Sequence, residues 1–514
     1  MFIPVKAVGS IGVIKDVSQN ELAPNAWTDA SNIRFLDGSA QQSFGHSEVY
    51  DTPPFAPHYL LQVTISGVEY WIYTTASKTY AVTNSGGTAV HTDITHATPR
   101  TGVVNQWTGC NFQGIPILNV GDTTHAPMYW DMNLANNFVD LPSWPANTYV
   151  KALRPYKSFL IGLNVTQGGT NYPHKVMWST SADPGSLPAS YTSLATNDAG
   201  DLPLAEGEGE IVDGLQLKDS FIIYKERSAH RMDYVGGDFI MSVKQIFGMS
   251  GVMNANCIAE FDGMHFVVTN HDVVIHDGYS AQSVLDRSAK RAFFQDIDDS
   301  YKHRVFVFKN PFLNEIYVAY PSIGATSCDK ALVYNYKDKT VSYRSLPNLN
   351  HAAYGAVDNG LVNSFDADSE PVDSDLSTFN GPDYVPGAAR VIMASADTKL
   401  FMLDASASFD GVLPDAYLER RALNLGDQTQ RWLIKGVRPI IYGNVGQTVT
   451  VSVGGADDPF SEPTYTDMDY TIGSTISCDC FVNSRYPAIK FATGSAYTWR
   501  LDSYVLEAEP AGSW

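Results

Sequence analysis

The chain has 514 residues, and its 34 basic and 55 acidic side chains give a formal net charge of −21 at pH 7. Tight binding to the DNA backbone requires clustered lysine and arginine, so this charge balance argues against a protein that grips the duplex. The length is too great for one ordinary compact core unless repeated units share it.

The composition favours strands and turns. Tyr and Phe, at 28 and 24 residues, are strand formers, and 40 glycines with 27 prolines predict many turns. Five scattered cysteines predict free thiols, because Cys478 and Cys480 are too close for an ordinary disulfide and lack the second pair of a zinc site. Residues 1–14 lack the apolar core of a signal peptide, and no apolar run would cross a bilayer. We therefore expect synthesis in the cytoplasm, no export signal and no membrane insertion.

The N-terminal region carries one strong local signal. Residues 22–38 read Leu-Ala-Pro-Asn-Ala-Trp-Thr-Asp-Ala-Ser-Asn-Ile-Arg-Phe-Leu-Asp-Gly. Asp37 and Gly38 stand between two extended runs, and this pair predicts a tight hairpin turn.

A hairpin theme repeats through the middle of the chain. A turn, an apolar strand, a second turn and a second strand recur from residues 67, 114, 157, 219, 263, 314 and about 390, mostly in steps of 43 to 51 residues. A four-stranded propeller blade has a period of about 40–50 residues. The sequence therefore predicts an all-β protein built on a β-propeller of six or seven blades, with a stacked array of β-sandwiches as the alternative.

Two acidic segments interrupt this pattern. Glu206, Glu208 and Glu210 alternate with glycine in what we expect to be a flexible loop without a basic partner. Such a loop is either a solvated surface or, if several copies face a shared axis, a ring of negative charge. Residues 364–389 contain several acids and no lysine or arginine, which predicts an exposed loop insertion.

Candidate chemistry is weak throughout. His265, His271 and His276 share one predicted hairpin, but their spacing does not place all three on one face, so we expect ordinary strand and turn histidines. Asp366 to Glu370 resembles part of a calcium loop that lacks the required glycine and final acid. The sequence thus predicts no catalytic, cofactor-binding or metal-binding residues, and a protein that is not an enzyme.

The sequence pattern changes after residue 415. Strands are expected over 431–442, 448–453, 488–492 and 496–507, and the alternating run at 448–453 is typical of a half-buried strand. We interpret residues 416–514 as a small C-terminal β domain.

Several of these segments resemble one protein family. The stretch at 22–38, the strand-and-turn unit at 270–278, the segments 310–321 and 328–336, and the tract from Arg420 to Gly512 are similar to tail nozzle proteins of short-tailed bacteriophages, also called tail tubular or packaged-DNA-stabilising proteins. The resemblance covers most of the chain, although the residues that carry it are turn formers and packing aromatics.

The resemblance implies a structural virion protein of the phage tail. Such a nozzle is a homo-hexameric ring below the portal and adaptor, where it retains the packaged genome and conducts it on ejection. Residues 1–50 would form an arm that joins 416–514 in a platform, and residues 51–415 would form the propeller. The implied partners are the adaptor or portal, tail fibres or spikes, and double-stranded DNA that passes without specific binding. No cofactor is implied, and Glu206, Glu208 and Glu210 are the candidate channel-facing residues.

Two other functions stay open at this point. A propeller that binds or degrades glycans on a phage tail would fit the same repeat, as would a host-encoded soluble propeller outside any virus. An acidic surface that serves solubility alone also remains compatible with the charge.

Overall fold

The computed structural model describes residues 1–513, except 86–87, 238, 249–250, 287, 358–388, 427–429 and 494–496. The described part is all-β, as predicted, with 38 strands and one short helix, α1 (Lys290–Asp296). Short 3-10 turns lie at Gln19–Glu21, Lys302–Arg304 and Pro311–Leu313. The predicted loop insertion at 364–389 lies outside the described residues apart from Ala389.

The N-terminal region forms five short strands. They are β1 (Phe2–Lys6), β2 (Asp29–Ser31), β3 (Ile33–Leu36), β4 (Ser39–Gln42) and β5 (His46–Glu48). Asp37 and Gly38 connect β3 to β4 with φ angles of 49° and 80°. Positive φ at both central residues is the geometry of a type I′ turn, so the predicted hairpin is confirmed.

Five four-stranded antiparallel sheets follow in chain order, and we call them units 1 to 5. Unit 1 contains β6 (Tyr59–Ile65), β7 (Val68–Thr74), β8 (Thr79–Ser85) and β9 (Thr88–Asp93). Unit 2 contains β10 (Thr108–Phe112), β11 (Ile115–Asn119), β12 (Met128–Tyr129) and β13 (Val139–Asp140). Unit 3 contains β14 (Thr148–Tyr156), β15 (Phe159–Gln167), β16 (Thr170–Trp178) and β17 (Gly200–Pro203). Unit 4 contains β18 (Ile211–Leu217), β19 (Ser220–Lys225), β20 (Ala229–Tyr234) and β21 (Met241–Phe247). Unit 5 contains β22 (Ile258–Phe261), β23 (Met264–Val268), β24 (Val273–His276) and β25 (Ala281–Ser283).

The next sheet has seven strands and consists of two further units. Its strands along the chain are β26 (Phe306–Asn310), β27 (Glu315–Tyr320), β28 (Cys328–Asn335), β29 (Thr340–Ala356), β30 (Ala389–Ser395) and β31 (Lys399–Leu403). The first part of the long strand β29 pairs with β28 and completes unit 6, and its second part pairs with β30 and begins unit 7. The fourth strand of unit 7 is β5, which pairs with β31. Residues 46–48, which we had assigned to the N-terminal arm, therefore complete the last unit.

All seven predicted hairpins are present. Each is the pair formed by the second and third strands of a unit. The sequence pattern missed the first strand of each unit, because these strands vary in length and are preceded by loops of different lengths.

Neighbouring units pack side by side in a cycle. The first strands contact one another in the order β6, β10, β14, β18, β22, β26 and the second part of β29, which returns to β6. His351 on β29 stacks on Phe306 of β26 at 5.6 Å between ring centroids and accepts a hydrogen bond from the Leu60 N–H of β6. Each neighbouring pair of units also shares a buried apolar cluster. Burial of these facing sheets is the main favourable term in the array.

A polar cluster of Asn105, Arg154, Asp213 and Asn256 lies inside the cycle, and we call it the central polar cluster. Arg154 donates two hydrogen bonds of 2.8 Å to Asp213 and one of 2.8 Å to Asn256. Asn256 in turn donates to Asn105 at 3.0 Å. Asn256 precedes unit 5 and Asn105 precedes unit 2, which are not neighbours, so protein atoms cross the interior of the cycle at this level.

The C-terminal strands are β32 (Tyr417–Arg420), β33 (Gln430–Tyr442), β34 (Thr448–Ala456), β35 (Thr464–Thr471), β36 (Cys478–Ser484), β37 (Tyr486–Thr493) and β38 (Arg500–Ser513). They form two sheets in which N-terminal strands take part. One has the order β3-β4-β38-β33-β36 with β1 also paired to β38, and the other has the order β2-β32-β37-β34-β35.

One apolar core lies between these two sheets and takes residues from both ends of the chain. Trp27 is fully buried there, contacts the rings of Phe491 and Tyr504, and donates from its indole nitrogen to the Val8 carbonyl. We call this pair of sheets the composite domain. It also contacts the outer part of unit 6, where the Asn32 N–H donates to the backbone carbonyl of Tyr343.

The cysteines agree with the predicted free thiols. All five are buried and none is in a disulfide. Burial raises the pKa of each thiol, so they are held in the protonated form. Among the described residues, no helix has the length and apolar character needed to span a bilayer.

A buried ion cluster joins the composite domain to units 6 and 7. Arg34 on β3 contacts Glu315 at 2.5 Å and Asp404 at 2.9 Å, and Arg344 contacts the other oxygen of Asp404 at 2.8 Å. The Tyr317 hydroxyl donates to Glu315 at 2.6 Å. Burial opposes the charge of Arg34, but Asp404 and Glu315 outweigh it and raise the pKa of that guanidinium. Two cations and two carboxylates thus neutralise one another in a site of low polarity.

Removal of one partner from this cluster should be costly. We expect Arg34→Ala to lower the free energy of unfolding by about 3–5 kcal/mol, because it leaves the buried Glu315 carboxylate without a cation, whereas Asp404 keeps Arg344. Lys337→Ala removes the exposed pair of Lys337 with Asp37 and should change it by less than about 0.5 kcal/mol. Urea denaturation followed by tryptophan fluorescence measures both. Equal effects of the two substitutions would contradict the assignment of the cluster as the joint between the two parts.

Candidate functional site

The predicted acidic loop, residues 206–210, lies in the segment that connects the last strand of unit 3 to the first strand of unit 4. The first strands β14 and β18 run parallel. Arg154 contacts Asp213, and Lys157, three residues further along, contacts Gln216, which is also three residues further along. The loop therefore lies at the end of the units where first strands begin. We call this the leading end, and the opposite end the trailing end.

A buried lysine holds the backbone of this loop. Lys225, at the end of β19, is fully buried, and its ammonium donates to the carbonyls of Leu204 at 3.0 Å, Glu206 at 2.8 Å and Gly207 at 2.9 Å. Burial lowers the pKa of Lys225. All three ammonium hydrogens have a carbonyl acceptor, which is the condition for keeping such a group in the interior.

Two glycines allow the loop to approach unit 4 closely. Gly207 and Gly209 have φ angles of 80° and 82°. A Cβ atom on Gly207 would lie 2.3 Å from the Ser228 hydroxyl, and one on Gly209 would lie 2.6 Å from the Glu226 side chain. The alternation of glycine with glutamate therefore has a steric cause, since side chains at these positions would collide with the neighbouring strand pair.

Two of the three glutamates are paired, which corrects the expectation of a loop without basic partners. Glu208 contacts Arg227 at 3.1 Å, and Glu210 contacts Lys151 at 2.5 Å and accepts from Asn164 at 3.1 Å. Burial opposes ionisation of Glu210, but the hydrogen bond and charge of Lys151 lower its pKa. Lys151 and Arg227 lie beside the loop in space but are distant from it in sequence. The local sequence therefore did not predict either ion pair.

A polar cleft of about 1070 Å³ opens beside this loop at the leading end. Its charged lining consists of the cations Arg227, Lys290 and Lys302 and the acids Glu208, Glu226, Asp272 and Asp299. Two of the cations are paired within it, Arg227 with Glu208 and Lys290 with Asp272 at 2.7 Å. The cleft therefore presents charges of both signs, with one more carboxylate than cations.

The predicted histidine cluster is divided by the structure. His265 on β23 and His276 on β24 are cross-strand partners and are buried, whereas His271 is exposed in the turn between those strands. Across the described residues, no group of three or more His, Cys, Asp or Glu is placed to hold a metal ion. The expectation that the three side chains do not share one face is confirmed.

His265, His276 and Tyr224 form one directed hydrogen-bond chain. The Gly278 N–H donates to Nδ1 of His276, so Nε2 of that ring carries the proton and donates to Tyr224 at 2.6 Å. The Tyr224 hydroxyl then donates to Nδ1 of His265 at 2.7 Å, and Nε2–H of His265 donates to the Gln216 carbonyl at 3.0 Å. Every group has a partner only when both imidazoles are neutral.

The comparisons with known proteins are distant. No protein-family model matches the chain, and no curated protein matches it. The extracellular domain of a protein described as a hybrid two-component system of B. thetaiotaomicron has a TM-score of 0.40 and 10% identity over 92% of this chain and 65% of that one. PorZ, a surface component of the type-IX secretion system of Porphyromonas gingivalis, has a TM-score of 0.37 and 8% identity over 84% of this chain and 46% of that one. The WD40 domain of Neurospora crassa Pan2 has a TM-score of 0.37 and 8% identity over 70% of this chain and 94% of that one.

The chain spans about half the length of PorZ and about two thirds of the sensor domain. A likeness at such TM-scores carries no argument about function.

The sequence reasoning missed the residues that organise the site. Lys225 directly continues the apolar run Phe221–Tyr224 and precedes a charged turn. This position at the end of an apolar strand was a sign in the sequence that the lysine could be buried. Arg154 and Asp213 had no such sign, because each stands in an ordinary strand and their partners are far apart in sequence.

We expect Lys225→Met to release the acidic loop. The substitution removes the donor of three carbonyls, of which that of Leu204 is buried, and a buried acceptor left without a donor costs about 1–3 kcal/mol. Cleavage after Glu206 and Glu208 by a glutamate-specific protease should become at least tenfold faster, because cleavage follows the population of the open loop. Lys244→Met, at an exposed position on β21, is the matched control and should leave the rate unchanged. Unchanged cleavage in Lys225→Met would contradict the role of the ammonium.

The buried histidines should make stability depend on pH. Burial lowers the pKa of His265 to about 4 and that of His276 to about 3, from the ordinary 6.5. The unfolded chain then binds more protons than the native chain below pH 6.5, so stability falls as the pH decreases from 6.5 towards 4. Each histidine contributes up to about 1.4 kcal/mol per pH unit.

Two glutamine variants test this dependence. In urea unfolding at several pH values, His276→Gln should show a shallower decrease, since its amide can still donate to Tyr224 but does not titrate. His271→Gln, at an exposed position, should keep the slope of the unsubstituted chain. A slope that is the same in both variants would contradict this interpretation.

Proposed function

We propose that this chain is a tail nozzle subunit of a short-tailed bacteriophage. In this role it forms a homo-hexameric ring below the adaptor, retains packaged DNA and conducts it on ejection. The observation that carries the proposal is the composite domain, in which strands from residues 2–42 and 417–513 share two sheets and one core. The sequence resemblance implied a platform made from the same two ends of the chain.

The seven units support a seven-bladed propeller for the remainder of the chain. Each unit is a four-stranded antiparallel meander, and the first strands contact one another in a cycle. The closing unit combines β29, β30 and β31 with β5 from the N-terminal region. A propeller closed in this way leaves only short strand edges exposed, which agrees with the use of repeated sheets as rigid scaffold.

In this proposal DNA passes between copies of the chain and not through a single propeller. The central polar cluster crosses the interior of the cycle, with Arg154 bridging Asp213 and Asn256. Burial opposes the charge of Arg154, but Asp213 outweighs it and raises the pKa of the guanidinium. A tightly paired cluster of this kind does not yield to a passing duplex, so the conduit is assigned to the axis of the ring.

Charge supports passage without adhesion. Each copy carries a net charge of −21, and duplex DNA carries one negative charge per about 1.7 Å of its axis. At physiological salt the repulsion reaches only about 8 Å, so it acts where the conduit is narrow. Lys151 and Arg227 offset two charges of the loop at 206–210, which leaves Glu206 as its main uncompensated acid.

Assembly with the adaptor tests the proposal directly. We expect the recombinant chain, mixed with its portal and adaptor, to give six-copy rings on the particle axis in negative-stain images and a hexamer by native mass spectrometry. A chain that remains a monomer with both partners present, or that decorates the periphery of virions, would contradict a nozzle role.

A charge reversal tests the orientation of the loop. In the assembled ring, Glu206→Lys should retain duplex DNA at 0.15 M salt in a gel-shift assay, because the added cation neutralises phosphate. Asp467→Lys, at an exposed position on β35, makes the same change of charge in the composite domain and serves as the control. Equal retention of DNA by both variants would show that the loop does not line the conduit. That result would not bear on whether the chain assembles into a ring.

A further inference from the structure

A small cavity lies at the trailing end, between units 4 and 5 and away from the acidic loop. Its volume is about 210 Å³, roughly that of seven molecules of liquid water. The turn that joins β18 to β19 supplies Lys218, Asp219 and Ser220, and the turn that joins β24 to β25 supplies Asp277 and Tyr279. Turns from two rigid sheets thus form its walls.

An exposed aromatic ring is held in place at the mouth of the cavity. Tyr279 is 75% exposed, yet its hydroxyl accepts a hydrogen bond of 2.8 Å from Arg231, whose guanidinium lies 5.3 Å from the ring centroid. Arg231 is itself held by Asp233 at 2.9 Å, and Asp233 accepts from Ser220 at 2.6 Å. Ser220, Asp233, Arg231 and Tyr279 therefore form a continuous chain of hydrogen bonds.

The polar groups of the cavity offer both donors and acceptors. Asp277 uses one carboxylate oxygen to accept from the backbone N–H groups of Tyr279 at 2.9 Å and Ser280 at 2.8 Å, and these bonds lower its pKa to about 2. Lys218 and Asp219 line the same cavity, and the exposed Asp219 carboxylate also lies 3.9 Å from the Lys157 ammonium. Among the described residues, the second terminal nitrogen of Arg231 has no acceptor within hydrogen-bond distance.

The shape and charge of the cavity select the class of ligand. A flat aromatic face beside directional donors and acceptors matches a ring that is apolar on one face and bears hydroxyl groups at its edge. The cations Lys218 and Arg231 balance the carboxylates Asp219 and Asp277, so the lining does not favour an anion. The volume accommodates one monosaccharide ring and is too small for a nucleotide.

We propose that the cavity between Tyr279 and the turn at Lys218–Ser220 binds a neutral pyranose unit of a glycan. The sugar ring stacks on Tyr279, and its hydroxyl groups bond to Arg231, Asp219 and Asp277. The floor is close-fitting, because Gly278 has a φ angle of 89° and a Cβ atom there would lie 3.3 Å from Leu217. The site belongs to a single copy of the chain, so it does not depend on assembly of a ring.

Saturation-transfer difference NMR on the isolated full chain tests the site with methyl α-glucoside, methyl α-galactoside, methyl α-mannoside and sodium glucuronate as probes. At least one methyl glycoside should bind with a Kd in the millimolar range, which is the strength expected for a ligand of about 12 heavy atoms. Glucuronate should bind more weakly than that glycoside. Absence of binding by all three methyl glycosides, or tighter binding of glucuronate, would overturn the proposal.

Substitutions identify the site of any binding observed. Tyr279→Ala should weaken it at least tenfold, and Tyr279→Phe, which keeps the ring but loses the bond from Arg231, should have an intermediate effect. Tyr172→Ala, at another exposed tyrosine on unit 3, should bind like the unsubstituted chain. Thermal unfolding of each variant shows that the fold persists. Equal affinities in Tyr279→Ala and Tyr172→Ala would place the sugar elsewhere and refute this site.

Discussion

The buried cluster of Arg34, Glu315, Asp404 and Arg344 is the interaction on which the arrangement of this protein depends. It lies where the composite domain meets units 6 and 7, and it contains residues from both parts of the chain. Desolvated charges hold position only when their partners are close, so the cluster sets both the distance and the orientation between the two parts. The apolar contacts around it stabilise the joint but tolerate small shifts, whereas paired guanidinium and carboxylate groups do not. Under the proposed nozzle function, the platform would need such a fixed relation to the rest of the ring.

Closure of the array follows from the same use of the chain ends. The strand β5 completes unit 7, and β1 to β4 complete the two sheets of the composite domain. Neither part can finish folding until the N-terminal region has docked onto strands hundreds of residues away. Contacts of such sequence separation form late and slowly, since the loop entropy must be overcome before they are gained. Inside the cycle, the central polar cluster then links segments of units that are not neighbours and crosses the interior at that level.

The two ends of the units differ in chemistry. At the leading end, Lys225 holds the backbone of a loop whose glutamates are largely paired with Lys151 and Arg227. At the trailing end, Arg231 holds Tyr279 in an exposed position beside a small polar cavity. The two cations thus serve different purposes, since the buried Lys225 holds the backbone of an acidic loop and the partly exposed Arg231 holds an exposed aromatic ring. A scaffold of packed sheets allows both because its turns are free to vary without loss of the core.

Local pattern was sufficient to predict the all-β class, the seven hairpins, the Asp37–Gly38 turn and the free cysteines, because turn chemistry and strand periodicity are properties of short segments. The first strand of each unit, the place of β5 in the last unit and the pairing of β1 to β4 with C-terminal strands were decided only by the tertiary structure. So were the ion pairs of Glu208 and Glu210. These features depend on residues that are remote in sequence, and their energies arise from burial and proximity, which no local pattern contains.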